Sequence, residues 1–325
     1  MAGLLRSLRK RILTPNVRET KLAVRGFHVK DEAARELLEK IGETFLTGFA
    51  YAAESRTPAE AEERLEHIPD RFRGFAYEGA GMGLAVLDCA GIGNLRRVKG
   101  TLAGRGERHN YMIYVGIGWA MARLPRFLWP DPAQLDPLLL WLVHDGYGFH
   151  QAYFHTDRYV RKQVRETGFS WPAGHEAYAA RAIDQGIGRA LWFIGGTDVQ
   201  QVVSLVESFP EERRGDLYAG TGLAATYAGG ATGDELWELR DRAGEHRGQL
   251  AQGSAFAAEA RIRAGLLVPH TRQATAILCG TTAEQAAEIC NQTSPDPSLP
   301  GELPAFEIWR QRIAGEFVSL GGVTP

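Results

Sequence analysis

Four side chains in two short strings have the types that proton transfer needs. Glu78 stands in Phe72-Arg73-Gly74-Phe75-Ala76-Tyr77-Glu78-Gly79-Ala80, and His144, Asp145 and His150 stand in His144-Asp145-Gly146-Tyr147-Gly148-Phe149-His150. A carboxyl group shielded from water keeps its proton to higher pH and becomes a general acid, and an imidazole beside it can take or return that proton. The strings therefore predict Asp145 as acid, His150 or His144 as its partner, and Glu78 as a second carboxylate. The competing role for Glu78 and Asp145 is to cap helix N-termini, where backbone N–H groups and the helix dipole favour a carboxylate. No metal site is predicted. His144, His150 and His155 lie six and five residues apart, not the three or four that align ligands on one helical face, and the chain has no His-Glu-x-x-His string. It also has no Gly-x-Ser-x-Gly elbow and no phosphate loop.

Both strings belong to a pattern that recurs along the chain. Glycine-led copies begin at Gly79, Gly116, Gly146, Gly186, Gly220 and Gly253, at intervals of 37, 30, 40, 34 and 33 residues. Each reads as the start of a small-residue helix, and the period has room for two helices and two turns. The expected fold is all-α, an array of six or more helical hairpins with a period of about 35 residues, curved as a solenoid or closed as a toroid. A single dinucleotide fingerprint would need one copy between a strand and a helix with an acid further on, which six alanine-rich copies do not supply. Glycine and alanine at these positions let helix backbones approach closely.

Equivalent positions in a repeat array occupy equivalent places in space. The residues preceding each leading glycine, Glu78, Val115, Asp145, Gln185, Ala219 and Gln252, should therefore form one row, with neighbouring helices about 8–10 Å apart. Tyr77, Trp119, Tyr147, Phe149 and Trp192 would wall a cavity around that row, and an apolar cavity with a few convergent polar groups is where small molecules bind. His150 stands out because sister copies carry Gly83, Ala120, Ala190 or Ala224 in its place.

The elements that must position these residues have clear signals. Asp31 is a helix N-cap before Leu37, Leu38, Ile41, Phe45 and Phe49, and Thr57-Pro58 with Glu60 starts a second helix ending near Pro69. Thr197-Asp198 starts a helix that stops at Pro210, followed by one from about Gly215 to Gly229-Gly230. The next unit carries Leu236 and Leu239 on one helix and 251–264 on another. Pro125, Pro130, Pro132 and Pro137 force a shaped loop, and a stretch rich in Pro, Ser and Asp from Asn291 to Pro304 leads to a closing helix bearing Phe306, Ile308 and Trp309.

With 325 residues, 44% of them hydrophobic, the chain can bury a large core, and 16–325 reads as one helical-repeat domain. A net charge of -2 gives no field for nucleic acid. Cys89, Cys279 and Cys290 are widely spaced and fit buried thiols in a reducing cytoplasm. Residues 1–15 form a separate arm: Leu4, Leu5, Leu8 and Ile12 share a helical face flanked by Arg6, Arg9, Lys10 and Arg11, stopped by Thr14-Pro15. Residues 4–13 could thus rest on an anionic membrane surface, making the protein peripheral at the inner face of the membrane, or pack on the body with their charges in water.

Leu8-Arg9-Lys10-Arg11-Ile12-Leu13-Thr14-Pro15, Arg25-Gly26-Phe27-His28-Val29-Lys30, the string from Phe72 to Ala80 and that from Asp145 to His150 together resemble a bacterial domain-of-unknown-function family labelled enediyne biosynthesis protein. The likeness runs over nearly the full length. It implies a cytoplasmic accessory protein of natural-product biosynthesis and carries no residue roles. By analogy of fold, toroids of helical hairpins resemble terpene cyclases and lanthipeptide cyclases. The expected function is a cofactor-independent cyclase or isomerase that acts on an apolar intermediate by acid–base catalysis. The alternative is a non-catalytic protein that binds such an intermediate or organises partner enzymes.

Overall fold

Each leading glycine lies in the middle of a helix, not at its start. The computed structural model describes residues 15–91, 94–166, 169, 171–297 and 302–320; of the basic arm expected over 1–15, all but Pro15 lies outside them. Every regular element among the described residues is helical. After a single turn at Leu22–Arg25 come Glu32–Glu54 (α1), Pro58–Leu65 (α2), Asp70–Cys89 (α3), Arg96–Leu102 (α4), Asn110–Arg123 (α5), Trp141–Phe154 (α6) and Glu176–Ile194 (α7). Then follow Val199–Glu207 (α8), Glu211–Ala228 (α9), Gly233–Arg242 (α10), Arg247–Arg263 (α11), Pro269–Leu278 (α12), Ala283–Thr293 (α13) and Ala305–Leu320 (α14).

The helix starts follow from side-chain caps. Asp31 accepts the Ala34 N–H at 2.7 Å, Thr57 and Asp198 cap α2 and α8, and Thr232 with Glu235 and Thr282 with Gln285 form reciprocal capping boxes. Two kinds of helix result. α8 buries Val199, Val202, Val203 and Val206 while Gln200, Gln201 and Ser204 face water, the amphipathic pattern of a helix laid on a core. In α6 every residue from Trp141 to Tyr153 is buried, so this helix is enclosed on all sides.

The enclosed helices α1, α3, α5, α6, α7, α9 and α11 pack in that order, each on the next. What sets their spacing is the glycine pair. A Cβ on Gly79 would overlap the carbonyl oxygen of Phe45, and the same holds for Gly116 on Glu78, Gly146 on Val115, Gly186 on Asp145, Gly220 on Gln185 and Gly253 on Ala219. The glycine two places on meets the following helix: Gly81 faces the carbonyl of Ile113, Gly118 that of Val143, Gly148 that of Ile183, Gly188 that of Leu217 and Gly222 that of Leu250, while Gly48 at the same register on α1, where Leu46 stands in place of a leading glycine, faces that of Ala76. The motif thus provides backbone contact on both sides of a helix, which a helix start would not need.

Two connections depart from the paired-helix unit. The proline-rich stretch between α5 and α6 is a loop with 3-10 turns at Arg126–Leu128 and Pro132–Gln134, and after α6 comes a π turn at Asp157–Arg161, with no further helix before α7 among the described residues. α11 also reaches back to α3: Arg261 donates to the carbonyls of Asp70 and Arg71 at 3.2 and 3.1 Å, and to that of Tyr227 on α9 at 2.6 Å. Near the start of the described chain, the His28 N–H donates to Ile194 O at 3.0 Å and Lys30 binds Gly230 O and Glu235. α14 is held by Arg310, which donates to Asp216, Glu307 and Gln252. All three cysteines are buried and free, and no described helix is long and apolar enough to cross a membrane.

A methyl group at a backbone contact forces two helices apart. Gly186→Ala is expected to cost about 3 kcal/mol or more, read as a lower urea midpoint. Gly315→Ala on α14, where a Cβ meets open space, should instead stabilise by up to about 1 kcal/mol. Equal effects of the two changes would refute backbone spacing as the role of the motif.

Candidate functional site

Counting from the leading glycine, the residue before it and the residue three after it lie one helical turn apart on the same face. The first row is Phe45, Glu78, Val115, Asp145, Gln185, Ala219 and Gln252, and the second is Phe49, Met82, Trp119, Phe149, Arg189, Leu223 and Phe256. Most of these side chains converge on two cavities. One, of about 60 Å³, has Phe45, Phe75, Glu78, Trp119, Phe149 and Arg189 in its wall. The other, of about 40 Å³, is bounded by Val115, Leu142, Asp145, Arg189, Phe256 and Trp309 among others. Each has room for a few waters or a small apolar group.

Arg189 borders both cavities and holds the polar centre between them. Its Nη1 donates to Asp145 Oδ1, and its Nη2 lies 3.5 Å from Glu78 Oε1. Trp119 Nε1 donates to the same Glu78 oxygen at 3.1 Å, and Gln185 Nε2 donates to Asp145 Oδ2 at 2.7 Å. The guanidinium also lies 5.1 Å from the Phe149 ring centroid. Glu78, Asp145, Gln185 and Arg189 are all buried, at 3%, 1%, 1% and 6% exposure, so the charges must balance locally. One cation faces two carboxyl groups, and balance is reached when one of them keeps its proton. Burial pushes Glu78 up to about 7; Arg189 opposes that shift and the charge of Asp145 adds to it. A proton held near neutrality in the wall of an aromatic cavity is the chemical capability of this site.

The sequence-predicted residues divide accordingly. Glu78 and Asp145 meet at Arg189, Gln185 donates to Asp145, and Trp119 and Phe149 wall the first cavity. Glu78 and Asp145 lie mid-helix, so neither is an N-cap. The pairing of Asp145 with His144 or His150 is not made, because its oxygens are taken by Arg189 and Gln185. His144 donates through Nε2 to Trp171 O at 2.6 Å and stacks on Trp141, while His150 packs edge-on against Trp119 with ring centroids 5.5 Å apart. Tyr77 stacks on His109 and donates to Glu66, Tyr147 accepts from Gln151, and Trp192 donates to Gly229 O. These three lie away from both cavity walls. Arg189 escaped the sequence reading although a signal existed: it is the one charge in a row of apolar and aromatic residues.

Burial holds four imidazoles neutral, with His109 and His150 lowered to about 3 and His144 and His270 to about 4. Their folded values lie below the unfolded one, so their contribution is complete above pH 6.5 and is lost as pH falls towards 4. Each costs about 1.4 kcal/mol per pH unit in that window, partly offset by Glu78, whose raised value works in the opposite sense. Urea midpoints should fall between pH 6.5 and 4.5, with a shallower slope in His150→Phe. Asp145→Asn leaves Glu78 as the sole counter-charge of Arg189. It should cost about 3–5 kcal/mol and abolish the infrared band of protonated Glu78 at pH 6; an unchanged band would contradict the charge balance.

Comparison with curated proteins and with solved structures found no match. One family model does match, over residues 4–317, and by it the chain belongs to the family described as Protein of unknown function (DUF1702).

Proposed function

We propose that the protein binds an apolar biosynthetic intermediate against the aromatic wall of the first cavity and promotes its isomerisation or cyclisation by proton transfer from Glu78. The observation that carries this reading is a carboxyl group pushed up to about 7, beside a fixed cation, in a wall made of Phe45, Phe75, Trp119 and Phe149. Delivery of the Glu78 proton to an alkene carbon or a carbonyl oxygen leaves a cation on the substrate and a carboxylate on the protein. The ring faces stabilise that cation. Loss of a proton from an adjacent carbon to Glu78 then completes an isomerisation, or attack by a second double bond closes a ring before the proton returns. No electrons are exchanged with an outside group. Asp145 stays paired with Arg189 throughout and keeps the cluster within one unit of neutrality. Pro15, Glu19 and Thr20 also line this cavity.

Two finer points belong to the same reading. The order of the enclosed helices, with Arg261 bridging α11 to α3, supports a repeat array curved so that its last enclosed helix comes back to the second. The kind of intermediate, an enediyne or related polyene, comes from the sequence resemblance and not from the shape of the cavity.

Metabolite profiling of a strain lacking the protein should reveal an accumulated intermediate, which the purified wild type converts and Glu78→Gln does not. The amide matches the protonated acid in shape, so the variant should fold. The wild type carries the cost of ionising Glu78 progressively from pH 4.5 to beyond 7 while the variant does not, so Glu78→Gln should gain in relative stability as pH rises. Conversion at the wild-type rate by Glu78→Gln would overturn the assignment.

A further inference from the structure

The first cavity meets the surface at its outer wall, where Pro15, Glu19 and Phe154 are half-buried and Arg123 is exposed. Three segments come together at this wall, and each carries an apolar side chain out into water. Val17, 49% exposed, lies on the turn that supplies Glu19 and Thr20. Val24, 52% exposed, precedes Arg25, whose guanidinium donates to the carbonyls of Tyr153 and Phe154, both in the wall. Phe127, 83% exposed, follows Arg123 by four residues. Its turn, Arg126–Leu128, is pinned to the end of α5 by Trp129, whose Nε1 donates to the carbonyls of Met121 and Leu124 at 2.9 and 3.1 Å. Apolar groups scattered singly over a surface need no explanation, but three around one opening do.

The charges around the opening leave one sign over. Glu19 is paired with Arg25 at 2.7 Å, and Glu39 and Glu43 with Lys21 at 3.0 and 2.9 Å. Arg18 and Arg123, both exposed, have no acidic partner among the described residues. Arg126, beside Phe127, has a side chain 60% exposed and lies 4.0 Å from Glu166. The chain preceding the described residues ends at Pro15, in the cavity wall, and carries Leu4, Leu5, Leu8 and Ile12 with Arg6, Arg9, Lys10 and Arg11 and no acid. Apolar side chains interleaved with arginine suit an anionic bilayer, which takes the guanidinium groups at its phosphates and the rings and aliphatic groups at the acyl boundary. An acidic protein would match the arginines but has no general place for a protruding ring.

We propose that the rim of the first cavity docks on an anionic membrane surface, with Val17, Val24 and Phe127 entering the acyl boundary and Arg18, Arg123 and Arg126 meeting lipid phosphates. The cavity then opens towards the bilayer, and an apolar ligand passes between lipid and protein without crossing water. This docking stands apart from the proton transfer assigned to Glu78 and holds whether or not Glu78 reacts.

The test is co-sedimentation of the full-length protein with vesicles of phosphatidylcholine, alone or with about one quarter phosphatidylglycerol. The anionic vesicles should be bound roughly tenfold or more tightly than the neutral ones, and less so as salt is raised. Phe127→Ser should weaken that binding roughly tenfold, the loss of one ring from the acyl boundary, at an unchanged melting temperature. Arg18→Gln combined with Arg123→Gln should weaken binding to the anionic vesicles by a similar factor and leave the neutral ones unaffected. Trp237→Ser removes a ring 47% exposed on α10, which borders neither cavity, and should bind as the wild type does. Glu78→Gln should also bind normally, so that a failed turnover prediction and a failed docking surface are told apart. No binding to anionic vesicles would overturn the proposal and leave the arginines to an acidic protein. Equal binding to both lipids, or wild-type binding by Phe127→Ser, would overturn it as well. So would equal losses in Trp237→Ser and Phe127→Ser, by showing adhesion that is not confined to the rim.

Discussion

Backbone contact between neighbouring helices, at a glycine hydrogen on one and a carbonyl oxygen on the other, is the constraint from which the rest of this structure follows. Every enclosed helix after α1 has one such contact to the helix before it, and all but α11 have another to the helix after it, at the same places in the motif. A Cα–H···O contact is weak by itself. Its effect is geometric: with no side chain between the backbones, the helices come closer than Leu- or Phe-packed neighbours would, and the side chains flanking the glycines are pushed onto the inner face. That closeness lets one Arg189 reach Asp145 on the adjacent helix and Glu78 on α3, 111 residues away in sequence.

The polar centre is not a source of stability. Moving a cation and two carboxyl groups out of water is expensive, and a well-packed apolar substitute is often as stable or more so. What the cluster provides is position and protonation. Arg189 is held between two acids, a tryptophan N–H fixes one of them and a glutamine amide the other. Such an arrangement is costly to disturb at any member, since each removal leaves another charge uncompensated. It also explains why the surrounding walls are so apolar: in a wetter site Glu78 would ionise in the ordinary carboxylate range and the centre would carry a net negative charge.

Much of the scaffold was legible in the chain. Asp31, Thr57 and Asp198 cap the helices they were expected to cap, because capping is a local exchange of hydrogen bonds that needs no tertiary partner. The row before the leading glycines was also readable, and it brought Glu78, Asp145 and Gln185 together correctly. The glycines were misplaced as helix starts because a glycine that permits a turn and one that permits a close approach look alike in sequence. The histidines misled for a related reason. His144 is next to Asp145 along the chain and His150 is five residues on; neither spacing is the three or four that shares a helical face, so both turn into aromatic packing. Tyr77, one residue before Glu78, and Tyr147, two residues after Asp145, miss the centre in the same way. Arg189 required reading the second row, where a charge among Met82, Trp119, Phe149, Leu223 and Phe256 has no reason to exist unless a counter-charge lies opposite.

Because the glycines fix the frame and the two flanking rows fill it, the fold keeps its grammar apart from its vocabulary. A substitution in either row rewrites the lining of one cavity without altering the distance between helices, and Arg189, common to both cavities, is where the two texts meet. Seven helices with two inward positions each make a small combinatorial lattice, in which a carboxyl, an aromatic ring or a hydroxyl can be moved by one helix or by one turn. The unit of change in such a molecule is the single inward side chain, and its chemical repertoire can widen while its architecture stands still.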